Sequence, residues 1–565
     1  MQRPVPLFFV LVLAIAYVLP GLIGHEPWKQ DENYIFGIVY HMLQSGDWIV
    51  PQNAGEPFME KPPLYYWVAA GLAWLDRSWL PLPDGARLAS GLFTSLTLFF
   101  TGLAARYFWG AGVGRYAVIA LIASFGLLYE SHFMIADVPM LTGFTIACYG
   151  YARSLERSVW PGFWLGTGTG VGFLAKGLLI PGVLGVIAVL LPVVFSTWRR
   201  REYVNALLIA GMVCLPWLLI WPVALYLRSP HLFYDWFWLN NVGRFLGFSV
   251  PQLGADNSAG FWPRTLPWFT FPVLPLALIN LWQRRRQLPH NFALQFGLVA
   301  FLSYFLLMQF SASARTAYGL PMLTALALLG TPAVSALSER INRYGDYGSR
   351  WLFAPLVIVS WYVWCRMVLT GIPPAWPILK RYLPVNFHMP LQPLPALLAL
   401  AATLIYFLGW IWLPQLKSRA VTSLALGVTL FWIMFGTLWL PWVDYAKSYR
   451  SVFIAMRPYI PPVRYCIASE GLGESTRPML EYYLGILTRR RELYPHAACD
   501  VLIIDGRGKN APYLTGASWE LIWSGSRPGD DDETLWLYVK HHNAPEHASK
   551  SRIDAVRLLP PFLST

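Results

Sequence analysis

A succession of apolar runs separated by short polar joints constrains this chain more than any other feature. The runs cover about residues 7–24, 88–105, 116–130, 138–152, 161–175, 178–195, 203–228, 266–282, 291–310, 320–336, 351–371, 393–413 and 421–443. A water-soluble body has no way to cover so much apolar length, whereas a bilayer accepts a helix of ~20 apolar residues as one crossing. Composition agrees, with 56% of the 565 residues hydrophobic and 13% charged, against about 25% charged in an average soluble domain. The first run follows Arg3 and is not followed by a small-x-small cleavage pattern, so it reads as a retained helix rather than a signal peptide. The expected fold class is a polytopic α-helical membrane protein of about thirteen transmembrane helices.

The formal net charge of +13 does not indicate a nucleic-acid binder, because most of the excess lies in short Arg clusters between the apolar runs. Alternating from a cytoplasmic N-terminus, the inner loops hold Arg106 and Arg115, Arg153 and Arg157, Arg199 to Arg201, Arg284 to Arg286, then Arg340, Arg343 and Arg350, and finally Lys417 and Arg419. Every cluster then falls on one side, as the positive-inside rule requires. An odd number of crossings places the C-terminal part outside.

Two regions stand apart from the membrane. Residues 25–87 form a Trp- and Pro-rich first outer loop, with an apolar segment at 63–75 suited to the membrane interface. The division expected is therefore 1–443 as the membrane domain and 444–565 as a small α/β domain. In the latter, 464–469 and 500–505 read as strands, 477–487 as a helix, and 519–523 with 534–539 as a hairpin. Cys466 and Cys499 each lie on or beside one of these strands, in what would be an oxidising compartment, and are candidates for a disulfide. Cys148, Cys214 and Cys365 lie in apolar runs. No CxxC or His/Cys metal spacing occurs, and no internal repeat is visible.

Charges at the ends of membrane helices are costly and need a reason. Asp31 and Glu32 follow the first run in HEPWKQDENY, and Glu60 and Lys61 lie in PFMEKPPLYYW of the same loop. Asp137 is in HFMIADVPML, Lys176 in FLAKGLLIPG, Arg244 in FWLNNVGRFLG, and Arg315 with Tyr318 in SASARTAYGLPML. Each has an ordinary explanation when taken alone. Asp31 suits a helix cap, Glu60 and Lys61 an adjacent ion pair, Asp137 a turn before Pro139, and Lys176 and Arg315 snorkelling helix ends. Together, the alternation puts all of them on the outer boundary. Carboxylates there can orient or deprotonate an acceptor, while Lys and Arg at headgroup level can hold a phosphate whose lipid tail rests in the bilayer.

At these residues the chain resembles the GT-C membrane glycosyltransferases that use polyprenyl-phosphate sugars. It looks closest to the branch that transfers 4-amino-4-deoxy-L-arabinose to lipid A, related to the protein O-mannosyltransferases. The resemblance rests on QDENYIF, GDWIVPQNAGEPFMEKPPLYYW, IADVPML, FLAKGLL and ARTAYGLP. It covers the chain to about residue 330, and the rest in general layout. It implies that Asp31 is the catalytic carboxylate with Glu32 beside it. Glu60, Lys61, Asp137, Lys176, Arg244, Arg315 and Tyr318 would line the carrier-phosphate and donor site. Asn241 stands where the family segment often has a His that, with the loop Glu, can bind a metal in relatives, so no cofactor is assigned and a divalent metal is the one open alternative.

The partners implied are a polyprenyl-phosphate-linked sugar donor, membrane lipids, and lipid A or another envelope glycan or protein as acceptor, with no nucleic acid. The resemblance places the chain in a bacterial inner membrane, its C-terminal domain periplasmic, catalysing an inverting single displacement at the periplasmic face. Two other readings stay open. A transporter or flippase of lipid-linked sugars would bind near the midplane and commonly show internal repeats. An envelope assembly or receptor protein would use the outer loops for partners.

Overall fold

The computed structural model describes residues 4–249, 257–258, 260–374, 376–380, 382–462, 466–508, 519–530 and 532–540. Each apolar run lies on a helix or a broken pair of helices. Seven described helices are long and apolar enough to cross a bilayer, or eight if one bent pair counts as a span. The expected thirteen are therefore not thirteen straight, full-length crossings. Helix Leu7–Val18 has 12 residues and Leu179–Val194 has 16. The 116–130 run divides into helices Gly114–Ile122 and Phe125–Glu130. The 266–282 run contains an 88° bend between Phe261–Phe269 and the helix starting at Val273. Pro272, which has no N–H to continue the ladder, lies at that bend.

Small residues set which helices meet. A Cβ on Gly143 would lie 2.4 Å from the backbone nitrogen of Gly172, and one on Gly168 would lie 2.4 Å from that of Ala147. Helices Asp137–Arg153 and Trp160–Lys176 therefore pack backbone to backbone. Since Asp137 begins one and Lys176 ends the other, this contact brings the two charges together. At the opposite ends of the helices the basic joints touch one another: Arg157 bonds Glu202 at 3.0 Å, Arg284 stacks on Trp109, and Arg419 pairs with Glu339.

The first outer loop carries helices Asp31–Ser45 and Leu64–Asp76, and between them a two-stranded ribbon of β1 (Gln52–Asn53) and β2 (Glu56–Pro57). The C-terminal region contains β3 (Ile467–Glu470), β4 (Arg489–Arg490), β5 (Val501–Arg507), β6 (Trp519–Gly525) and β7 (Glu533–Lys540). They form one sheet in the order β4-β3-β5-β7-β6. β3 runs parallel to both β4 and β5, and β6 and β7 pair as the hairpin read from the sequence. β4 carried no sequence signal, and Arg464 lies outside the described residues. A disulfide joins Cys466 and Cys499, whose Cα atoms are 4.6 Å apart. Helix Leu440–Lys447 runs through position 443, so the last membrane segment passes into this region without a break.

The C-terminal sheet does not hang free. Its helix Thr476–Leu484 packs on helix Asp31–Ser45, so closely that a Cβ on Gly37 would lie 2.1 Å from Cβ of Pro478. Tyr34, Ile38, Met479, Leu480, Val501 and Leu537 share one apolar core. Polar contacts surround it: Arg477 to Glu56 at 2.9 Å, Lys29 to Glu533 at 2.8 Å, and His41 Nδ1 to Glu481 at 2.6 Å. Burial lowers the affinity of His41 for its proton, but the Glu481 hydrogen bond and charge outweigh it, and the imidazole is held above its ordinary 6.5.

A folded-state value raised in this way gives stability that is complete below 6.5 and lost as pH rises through the raised value. Thermal unfolding of the purified chain, followed between pH about 6 and 9, is expected to show falling stability that His41→Gln flattens. An identical decline in the variant would contradict this assignment.

Candidate functional site

Helix Asp31–Ser45 follows the first apolar run with Asp31 as its first residue, where a carboxylate suits the positive end of the helix dipole. Asp31 Oδ1 lies 3.4 Å from a guanidinium nitrogen of Arg315, a half-open contact. One helical turn on, the buried Tyr34 hydroxyl accepts a 2.5 Å hydrogen bond from Lys61 Nζ. The Lys61 ammonium is itself buried, 4.0 Å from Glu60, with the charges of Asp31 and Asp137 also acting on it. Glu60 Oε1 in turn accepts a 2.5 Å bond from Arg244. Burial works against ionisation of Glu60, yet Lys61, Arg244 and Lys176 overcome it and hold the carboxyl at about 2. It is a carboxylate throughout the neutral range.

Asp137 and Lys176 form the second pair, with Lys176 Nζ 2.8 Å from both carboxylate oxygens. The same ammonium lies 4.4 Å above the Tyr318 ring. Tyr318 sits in the short turn Thr316–Gly319, its carbonyl fixed by the Tyr304 hydroxyl at 2.8 Å. Thr316 of that turn donates to Glu130 at 2.9 Å.

These side chains surround a cavity of about 350 Å³. Glu60, Lys61, Lys176, Arg244 and Tyr318 contribute its polar wall, and Leu178, Leu179, Phe245, Leu246, Leu307 and Met308 its apolar wall. Asp31, Asp137 and Arg315 do not line it. Asp137 reaches the wall through Lys176, whereas Asp31 and Arg315 lie beside Lys61 and Tyr318. A cavity lined by three cations together with Leu, Met and Phe suits an anion carried on an apolar tail.

Glu32 must be reassigned. A residue next to Asp31 on a helix points about 100° away, and Glu32 turns inward to the fully buried Arg87 at 3.0 Å. It also accepts from the backbone N–H groups of Trp28 and Met134. Both carboxylate oxygens are engaged, so Glu32 holds the start of the helix in place, and it does not line the cavity. Asn241 is likewise engaged, accepting from the Leu178 N–H at 3.2 Å and donating to the Trp236 carbonyl at 2.8 Å. With Glu60 held by Arg244, these residues do not fit a metal, and no cluster of three or more candidate ligands occurs among the described residues.

Sequence reasoning overlooked Tyr34 and Glu130. Tyr34 was detectable as the residue one turn after Asp31 on the same helix face. Glu130 was detectable as an acid ending an apolar run.

The helical bundle that holds this charged cavity, with its small mixed sheet, has the fold of the solved ArnT structures. The structure of ArnT from Cupriavidus metallidurans bound to undecaprenyl phosphate superposes with a TM-score of 0.68 at 18% identity, covering 95% of this chain and 99% of that one. In sequence, the chain is 30% identical over 363 residues to the undecaprenyl phosphate-α-4-amino-4-deoxy-L-arabinose arabinosyl transferase 2 of Pseudomonas fluorescens, covering 60% of this chain and 58% of that protein. It is 32% identical over 343 residues to the corresponding transferase of Pseudomonas aeruginosa, covering 57% and 58%. The alignments thus span less than two thirds of the curated relatives' length. No protein-family model matches the chain.

Replacing Glu60 by Gln leaves Arg244 and Lys61 without their carboxylate. Breaking a fully buried pair costs about 3–5 kcal/mol, and this partly open one is expected to cost on the order of 2–3 kcal/mol. Denaturation of the purified variant measures that, and unchanged stability would contradict the pairing.

Proposed function

We propose that this chain is a bacterial inner-membrane glycosyltransferase. It moves a sugar from an undecaprenyl-phosphate carrier to an envelope acceptor at the periplasmic face. The single observation that carries this reading is a cavity lined both by Lys61, Lys176, Arg244 and Tyr318 and by Leu, Phe and Met side chains. The names of the relatives favour 4-amino-4-deoxy-L-arabinose as the sugar, and lipid A is the acceptor proposed. The disulfide supports a periplasmic place for the C-terminal domain, and the Arg-rich joints support a cytoplasmic N-terminus.

The carrier phosphate would enter among Lys61, Lys176 and Arg244, exchanging their present carboxylate partners for its own oxygens. An acceptor oxygen then attacks the anomeric carbon from the side opposite the phosphate. The bond from that carbon to the phosphate oxygen breaks, its electron pair leaves with the undecaprenyl phosphate, and the configuration inverts. Preorganised cations stabilise the charge that develops on the leaving group. Asp31, half open beside Arg315, orients the acceptor. It takes a proton only if that acceptor is a hydroxyl, since a lipid A phosphate is already ionised.

Asp31→Asn is expected to lower transfer by at least ~10-fold, and towards 10²–10⁴-fold if a hydroxyl is the acceptor, with unchanged protein in the membrane. Mass spectrometry of lipid A from cells carrying either form measures it. Full modification by the variant would overturn the role of Asp31, and no sugar added by the parent protein would overturn lipid A as acceptor.

A further inference from the structure

Two of the cations that line the cavity, Lys176 and Arg244, come from different segments. Lys176 is the last residue of helix Trp160–Lys176, and Arg244 directly follows a π-helical segment, Asp235–Gly243. Each is held by its own carboxylate, Asp137 for one and Glu60 for the other. Neither ion pair runs from one segment to the other. Asn241, which also lines the cavity, does make that connection. Its Oδ1 accepts from the N–H of Leu178, just beyond Lys176, at 3.2 Å, and its Nδ2 donates to the Trp236 carbonyl at 2.8 Å. Both ends of the carboxamide are used, and the partners dictate which end is oxygen.

Gly177 supplies an independent observation. The Gly177 N–H closes the last turn of the helix on the Phe173 carbonyl at 2.7 Å, and the chain then leaves the helix with a φ of +72°. A Cβ at this position would lie 1.7 Å from Asn241 Oδ1. The carboxamide therefore occupies the space that any other side chain at 177 would need, and the turn after Lys176 and Asn241 are fitted to each other. The wide turn on the other side is held in the same manner. Asn240 and Asn241 each donate to the carbonyl five residues earlier, and widened turns of this kind are frequent at functional sites.

We propose that Asn241 is a positioning residue for the carrier phosphate: it ties the turn carrying Lys176 to the segment carrying Arg244, and so sets the gap between the two cations that receive the phosphate. This rests on the transferase reading, in which that phosphate is the leaving group. The gap matters because a charge-assisted hydrogen bond spans only about 2.7–2.9 Å between heavy atoms. A cation displaced by roughly 1 Å no longer makes one to a phosphate held by the other. Asn241 acts through Lys176 and Arg244, and it exchanges no proton with the substrate.

The test uses the full chain in lipid nanodiscs. It measures the ratio of affinities for undecaprenyl phosphate and uncharged undecaprenol, with sugar transfer alongside. Asn241→Ala is expected to lower that ratio about 5- to 10-fold while leaving undecaprenol binding in place. Asn241→Gln keeps the amide but carries it one methylene too far, so it lowers the ratio as well; it bears the test if the alanine protein does not assemble. In an Arg244→Ala background there is no gap left to set, and Asn241→Ala then costs less than about 2-fold. Equal weakening of both lipids, or the same loss with and without Arg244, overturns the proposal and makes Asn241 a structural cap only. A parent protein that prefers the phosphate lipid but transfers no sugar removes the transferase reading and not the tie.

Discussion

Most charges of the site are held by an opposite charge from a distant part of the chain, and the rest of the site depends on that pairing. A lone ammonium or carboxylate at the bilayer edge would be expelled or neutralised. Asp137 with Lys176, Glu60 with Arg244, and Asp31 with Arg315 join segments separated by 39, 184 and 284 residues. The pairs hold cations in place without ligand and give a phosphate something to exchange for. Lys61 is the exception in kind. Its short bond goes to a neutral phenol, Tyr34, and Glu60 is 4.0 Å away, while the charges of Asp31 and Asp137 also act on it.

The site's membership was legible from the sequence because charges beside long apolar runs are expensive wherever they occur. Who pairs with whom was not legible. Asp137 finds Lys176 only because Gly143, Gly168 and Gly172 let two helix backbones meet, and side-chain spacing does not encode that approach. The neighbouring letters Asp31 and Glu32 looked like one acidic unit. Helical rotation gives the first to Arg315 and the second to Arg87. The bend near Pro272 and the break after Ile122 were likewise hidden within runs whose hydropathy is continuous.

The C-terminal domain was legible as strands and helix but not as part of the site. Its β3 and β5 read from short apolar stretches, and its hairpin from a Gly- and Asp-rich turn. Nothing in EGLGEST announces that Glu474 comes within reach of the charges of Glu60 and Asp31, because that placement comes from docking of helix Thr476–Leu484 through Pro478 and Gly37. The ArnT structure shares this overall arrangement at 18% identity, so the fold persists where most side chains differ.

The most direct measurement compares binding of undecaprenyl phosphate and of uncharged undecaprenol to the purified chain in nanodiscs. Cations freed from their carboxylates by a phosphate predict that the phosphate form binds at least ~100-fold more tightly, and that Arg244→Ala removes much of the difference. Equal affinity for the two lipids, unaffected by Arg244, would contradict a carrier-phosphate site in this cavity.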